Sequence, residues 1–147
     1  MKKLIITAAL LSAAFAAQAG TEIVVHGISH HTSARHAADG KPWNQVNSGV
    51  AFRGYSGDFS VQAGLYKNSI YKTSYYAMAD YTPLSIGPVA VGAFGGAATG
   101  YEGGGVMPVA GAVVRYQADA YSITLRAAPR FRASKSGVFA LEGGFKF

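Results

Sequence analysis

Apolar and polar positions alternate along most of this chain with a period of two. Between Phe59 and Lys67, Phe59, Val61, Ala63 and Leu65 fall on one side, and Ser60, Gln62, Gly64 and Tyr66 on the other. Tyr121, Ile123 and Leu125 stand in the same way against Ser122, Thr124 and Arg126. The last run sets Phe139, Leu141, Gly143, Phe145 and Phe147 against Ala140, Glu142, Gly144 and Lys146. Eight such runs are expected as strands: Thr21–Ser29, Asn47–Tyr55, Phe59–Lys67, Ser74–Thr82, Gly87–Ala98, Met107–Tyr116, Ala120–Ala128 and Gly137–Phe147. Runs of about ten residues with this alternation are what a transmembrane barrel strand requires, with lipid on one face and a polar lumen on the other. Helical periodicity is absent from the region after residue 20. Alternation alone also suits the edge strands of a soluble β-sandwich.

The connections alternate in length. Ser56-Gly57-Asp58, Pro83–Ile86 and Gln117-Ala118-Asp119 are short. His30–Val46, Asn68–Thr73, Thr99–Val106 and Pro129–Ser136 are longer. Short periplasmic turns and longer external loops are the usual plan of an outer-membrane barrel. Eight strands put both termini on the periplasmic side, so the four longer loops share the outer face.

The N-terminal residues have a different character. Lys2 and Lys3 precede an apolar run, Leu4–Ala16, and Ala17-Gln18-Ala19 offers a small-x-small cleavage site. This is the pattern of a secretory signal peptide, too short for a membrane-spanning helix. Residues 1–19 are expected to be removed and residues 20–147 to form one barrel. The terminal Phe147 resembles the C-terminal signature of bacterial outer-membrane barrels. The fold expected is therefore all-β, an eight-stranded antiparallel transmembrane barrel in the outer membrane of a Gram-negative bacterium, present as a monomer.

Composition sharpens this picture at two points. There is no Cys, so an exported domain of this size has no disulfide framework to stabilise it. Barrel closure supplies stability instead, by pairing every strand. Loss of Lys2 and Lys3 with the leader leaves eleven of the thirteen basic residues against seven acidic ones, a net charge of +4. Arg35, Lys41, Lys67, Lys72, Arg130, Arg132 and Lys135 lie in or beside the longer loops, with Asp39 and Glu102 as acidic company. A basic rim suits lipopolysaccharide phosphates, or simple anchoring. Export and the lack of a folded basic motif argue against nucleic acid.

Two further sets carry candidate chemistry. Gln62, Asp80, Arg115, Arg126 and Glu142 are expected to point into the lumen. They read as a charge-paired plug or as the floor of a ligand slot. Ala90, Gly92 and Gly111 leave space beside them. His36, in the first long loop, and Asn68 with Ser69, opening the second, fall at one membrane face. A His beside a Ser can activate a hydroxyl for acyl transfer, and an Asn can orient the imidazole. Asn and Ser are also common at strand-to-loop transitions for backbone reasons. His26, His30 and His31 compete with His36, and no Cys or carboxylate cluster completes a metal site around them.

Trp43-Asn44-Gln45 leading to Gly49-Val50-Ala51-Phe52, then Gly64-Leu65-Tyr66-Lys67-Asn68-Ser69 and Tyr75-Tyr76-Ala77, is similar to the outer-membrane lipid A palmitoyltransferase (PagP-type) family. The same Tyr-x-Asn-Ser pattern resembles small outer-membrane barrel proteins, some of them phage-encoded. The palmitoyltransferase resemblance implies a catalytic set of His36, Asn68 and Ser69 and no cofactor. It implies acyl transfer from a phospholipid to lipid A or a related lipid. Asn68 stands where that family has Asp, and the family's amphipathic helix before the first strand has no room here. The alternative expectation is a non-catalytic barrel that modifies the cell surface, by adhesion, phage exclusion or membrane integrity.

Overall fold

The computed structural model describes residues 20–33, 40–101, 105–130 and 136–147. The eight strands are β1 (Thr21–His31), β2 (Val46–Ser56), β3 (Phe59–Lys67), β4 (Thr73–Ile86), β5 (Val89–Ala98), β6 (Met107–Gln117), β7 (Tyr121–Ala128) and β8 (Val138–Lys146). Each pairs antiparallel with its sequence neighbour, and β1 pairs with β8, so the sheet closes on itself. The expected leader, residues 1–19, lies outside the described residues.

The wall is inverted relative to a soluble protein. Ile23, Val25, Phe52, Leu65, Ile123, Leu125, Leu141 and Phe145 are exposed on the outside. Glu22, Arg53, Gln62, Asp80, Arg115, Thr124, Arg126 and Glu142 are buried inside. Such a surface is stable only against hydrocarbon. Aromatic pairs mark its short-turn edge: Phe59 stacks on Tyr81 with ring centroids 4.6 Å apart, and Tyr116 meets Tyr121 at 6.2 Å. Aromatic rings at this level form the girdle that holds a barrel at the membrane–water boundary.

Strand boundaries agree with the alternation to within a few residues, except at one turn. The connection expected over Pro83–Ile86 is instead part of β4, and the turn is Gly87-Pro88. Pro83 sits at a register shift between Tyr81 and Leu84, where its missing N–H interrupts no ladder bond. Gly87 has φ +58°, the left-handed conformation that only glycine adopts without cost.

Strand β1 carries the irregularity that matters for the site. Its pairing with β2 shifts between His26 and Ile28, and its pairing with β8 shifts between His26 and Ser29. Glu22 and Val24 are buried before the shift, and Ser29 and His31 after it. A β-bulge adds one residue and so exchanges the two faces of the strand beyond it. His30 consequently points out and His31 points in.

Candidate functional site

The lumen has two parts. Near the short turns it is filled by an ion network. Arg53 bonds Glu22 and reaches Glu142 at 2.8 Å. Arg126 reaches Asp80 at 2.6 Å and Glu142 at 3.1 Å. Arg115 pairs with Asp80. Gln62 accepts from Arg53 Nε at 2.8 Å and from Arg126 Nη2 at 3.1 Å, and donates to the Tyr76 hydroxyl. Three guanidinium groups thus face three carboxylates, so the buried charges balance among the described residues. Gly144 makes room for this packing, because a Cβ there would stand 2.6 Å from Glu22 Oε2.

All five lumenal residues expected from the alternation are in this network, joined by Glu22 and Arg53. Ala90 stands opposite Arg115 in the β5–β6 register and does not line the cavity above the network. The plug is also the floor of a cavity.

Above it, toward the long connections, lies a cavity of about 410 Å³. Met78, Phe94, Ala98, Met107, Val109 and Val138 give it an apolar wall. Arg126 and Glu142 close its base, with the Arg126 guanidinium 5.0 Å from the centre of the Phe94 ring. Among the described residues, the wall beside it is incompletely zipped. β6 and β7 pair from Ala112↔Ala127 to Gln117↔Ser122, while Met107–Gly111 pair with β5 and Ala128 pairs with β8. Pro108 and Pro129 flank this parting, and neither has an N–H to bridge it.

At the mouth of the cavity His31 Nε2 stands 2.8 Å from Ser69 Oγ. The imidazole lies flat on Trp43, with centroids 4.8 Å apart and planes 11° apart. Trp43 Nε1 donates to Ser33 Oγ at 3.1 Å. Asn44 N donates to the Ser69 carbonyl at 2.9 Å, and Asn44 Nδ2 to the Asn68 carbonyl at 3.0 Å. The Trp43-Asn44 segment therefore supplies the ring that holds His31 and the clasp that holds Ser69. The Tyr101 hydroxyl meets Tyr66 Oη at 2.9 Å, and Tyr101 and Ser69 both line the cavity. Burial pushes the Tyr101 phenol up, against smaller opposing effects of neighbouring Tyr66 and Ser69, so it stays a donor at neutral pH.

The three candidate residues have different fates. Ser69 is at the cavity mouth. Asn68 is fully buried but turned away into its own loop. Its Nδ2 donates to Ser74 Oγ at 3.0 Å and to the Gly100 carbonyl at 2.9 Å, and its Oδ1 accepts from Ile70 N and Lys72 N. This is the backbone role that Asn plays at strand-to-loop transitions. His36 lies outside the described residues, as do Arg35, Arg132 and Lys135 of the basic rim. His31 was one of four histidines in the sequence, and strict alternation puts it outside the barrel. Among the described residues no cluster of His, Cys, Asp or Glu could hold a metal ion.

No family model matches the chain, and no curated protein matches it. A barrel from the de novo design of transmembrane β-barrels shares the fold with a TM-score of 0.63, over 88% of this chain and 98% of that one, at 14% identity. The Yersinia pestis outer membrane protein Ail, in a phospholipid bilayer nanodisc, aligns over 88% of this chain and 100% of its own, at 14% identity and a TM-score of 0.48. At such identity the designed barrel speaks for architecture alone: this chain is a transmembrane-type eight-stranded β-barrel. None of these comparisons points to the palmitoyltransferase family.

Proposed function

We propose that this barrel is a lipid acyltransferase of the Gram-negative outer membrane, acting through His31 and Ser69. One observation carries the reading: a His–Ser hydrogen bond of 2.8 Å at the mouth of an apolar cavity closed below. The cavity suits one acyl chain. Among the described residues, the parting between β6 and β7 would give a membrane lipid a sideways route to it. The basic residues Lys41, Lys67, Lys72 and Arg130 are exposed at the long-connection end, where lipopolysaccharide phosphates would lie.

The chemistry follows from the pair. With its proton on Nδ1, His31 accepts the Ser69 hydroxyl proton at Nε2 as Ser69 Oγ attacks the phospholipid ester carbonyl. Tyr101 is placed to donate to the oxyanion. The lyso-lipid leaves with the proton from His31, and the acyl group remains on Ser69. A lipid A hydroxyl then attacks that ester, again giving its proton to His31, and Ser69 regains a proton as it departs. No cofactor enters this sequence.

A second reading has its own support. Asn68 is committed to its loop, and among the described residues no carboxylate touches His31 Nδ1. A barrel of this kind fits lipid binding at the cell surface without turnover. Mixed micelles of purified protein, phosphatidylethanolamine and lipid A decide between the two. Mass spectrometry is expected to find lyso-lipid and acylated lipid A, with His31→Ala and Ser69→Ala each slower by about 100-fold or more. Wild-type protein that yields neither product overturns the enzymatic reading in favour of the binding one.

A further inference from the structure

Ser29 Oγ, His31 Nδ1 and Asn47 Oδ1 are buried without a hydrogen-bond partner among the described residues. All three side chains are at least nine-tenths buried, and all three line the same cavity. Buried polar atoms are almost always satisfied, so three orphans on one wall call for an explanation. We infer that the cavity is built for an acyl chain that carries its own hydrogen-bond donor, a hydroxyacyl chain rather than a plain one. The inference rests on the lipid-binding part of the function proposed above.

Asn47 is the residue that decides the ligand's chemistry. Its Nδ2 donates to the Lys67 carbonyl at 2.8 Å, which fixes the orientation of the amide. Its Oδ1 is left as an acceptor only. A saturated chain offers neither donor nor acceptor, and an ester offers acceptors only. Either would leave Asn47 Oδ1 desolvated and unpaired, at a cost in affinity. A chain hydroxyl can donate to Asn47 Oδ1 and accept from Ser29 Oγ. The two residues are neighbours across β1 and β2, next to the Ile28↔Val46 pair.

Their depth also fits. Ser29 precedes His31 by two residues on the same wall, about 6–7 Å further down the strand. With the acyl carbonyl at Ser69, a hydroxyl a few bonds along the chain falls at this level. Beyond it the wall is apolar, with Met78, Phe94 and Ala98, as the rest of the chain requires. The competing account is that ordered water fills the subsite and the cavity takes a plain chain.

Binding separates these accounts without any need for turnover. The probes are 3-hydroxytetradecanoate and tetradecanoate, titrated against the folded barrel in detergent micelles. The hydroxylated acid is expected to bind about tenfold tighter or more. Ser29→Ala and Asn47→Leu are expected to erase that preference while leaving the affinity for tetradecanoate within about twofold. Ser69→Ala keeps it. Unheated-gel mobility establishes that each variant is a closed barrel. Equal affinities for the two acids, a preference that survives both variants, or no binding of either acid overturns the inference. Acyl transfer and binding that are indifferent to the hydroxyl also overturn it, and leave the enzymatic reading standing. Selective binding without acyl transfer does the reverse.

Discussion

His31 Nε2 and Ser69 Oγ meet at 2.8 Å because the bulge at Gly27 turns the last residues of β1 inward. Without it, His30 would face the cavity and His31 the membrane. Trp43 then holds the imidazole by stacking, and Asn44 anchors the loop that presents Ser69. The pair is thus assembled from three separate parts of the chain on one rim of the barrel.

The exchange of faces is directly testable, because the chain has no Cys to compete with an introduced one. His30→Cys is expected to react readily with a bulky lipid-soluble maleimide in bilayers, and His31→Cys only slowly. Faster labelling at position 31 than at position 30 would place the bulge elsewhere.

Asn68→Asp is expected to loosen the loop rather than improve a catalytic set. The amide donates to Ser74 Oγ and to the Gly100 carbonyl, and a carboxylate can donate to neither. It would instead face an acceptor at close range. A destabilisation of about 1–3 kcal/mol follows from leaving these buried groups unpaired. Denaturant unfolding in micelles checks it, and a variant as stable as wild type, with faster acyl transfer, would show that Asn68 serves the chemistry instead.

Arg126 is the hub of the lumenal network, with bonds to Asp80, Glu142 and Gln62. Arg126→Met is expected to cost about 3–5 kcal/mol, since it leaves two buried carboxylates short of a counter-charge. Arg126→Met combined with Glu142→Gln is expected to recover part of that loss, because the charges again balance. Equilibrium unfolding of the two variants measures the coupling. A double variant less stable than Arg126→Met alone would mean that balance of charge does not govern the plug.

Leu141 faces outward beside Leu125, whereas Ala140 lines the cavity. Leu141→Arg is expected to cost about 2–4 kcal/mol in a lipid bilayer, as an Arg set against hydrocarbon does. Ala140→Arg is expected to cost less, because the cavity opens to water at its mouth. Refolding titrations into vesicles rank the two, and the reverse order would invert the assignment of faces.

The sequence by itself determined the barrel. Period-two alternation is a local property, because each residue's side of the wall follows from its neighbour's. Eight such runs with alternating short and long connections leave few other closed arrangements. The same parity was enough to place Gln62, Asp80, Arg115, Arg126 and Glu142 inside. It missed Glu22 and Arg53, whose runs alternate less cleanly, and which only the packing of charges across the lumen identifies.

The site needed the tertiary structure. A bulge is invisible to a parity count, yet it decides which of two adjacent histidines enters the lumen. Asn68 reads the same in sequence whether its amide serves chemistry or a loop, and only its partners Ser74 and Gly100 tell the two apart. The Ser29–Asn47 subsite is a matter of hydrogen bonds that are not made, and these exist only once the surrounding strands have closed over it. Local periodicity fixes which way a side chain points. Distance between residues far apart in the chain fixes what it can do, and that distance is a property of the closed barrel.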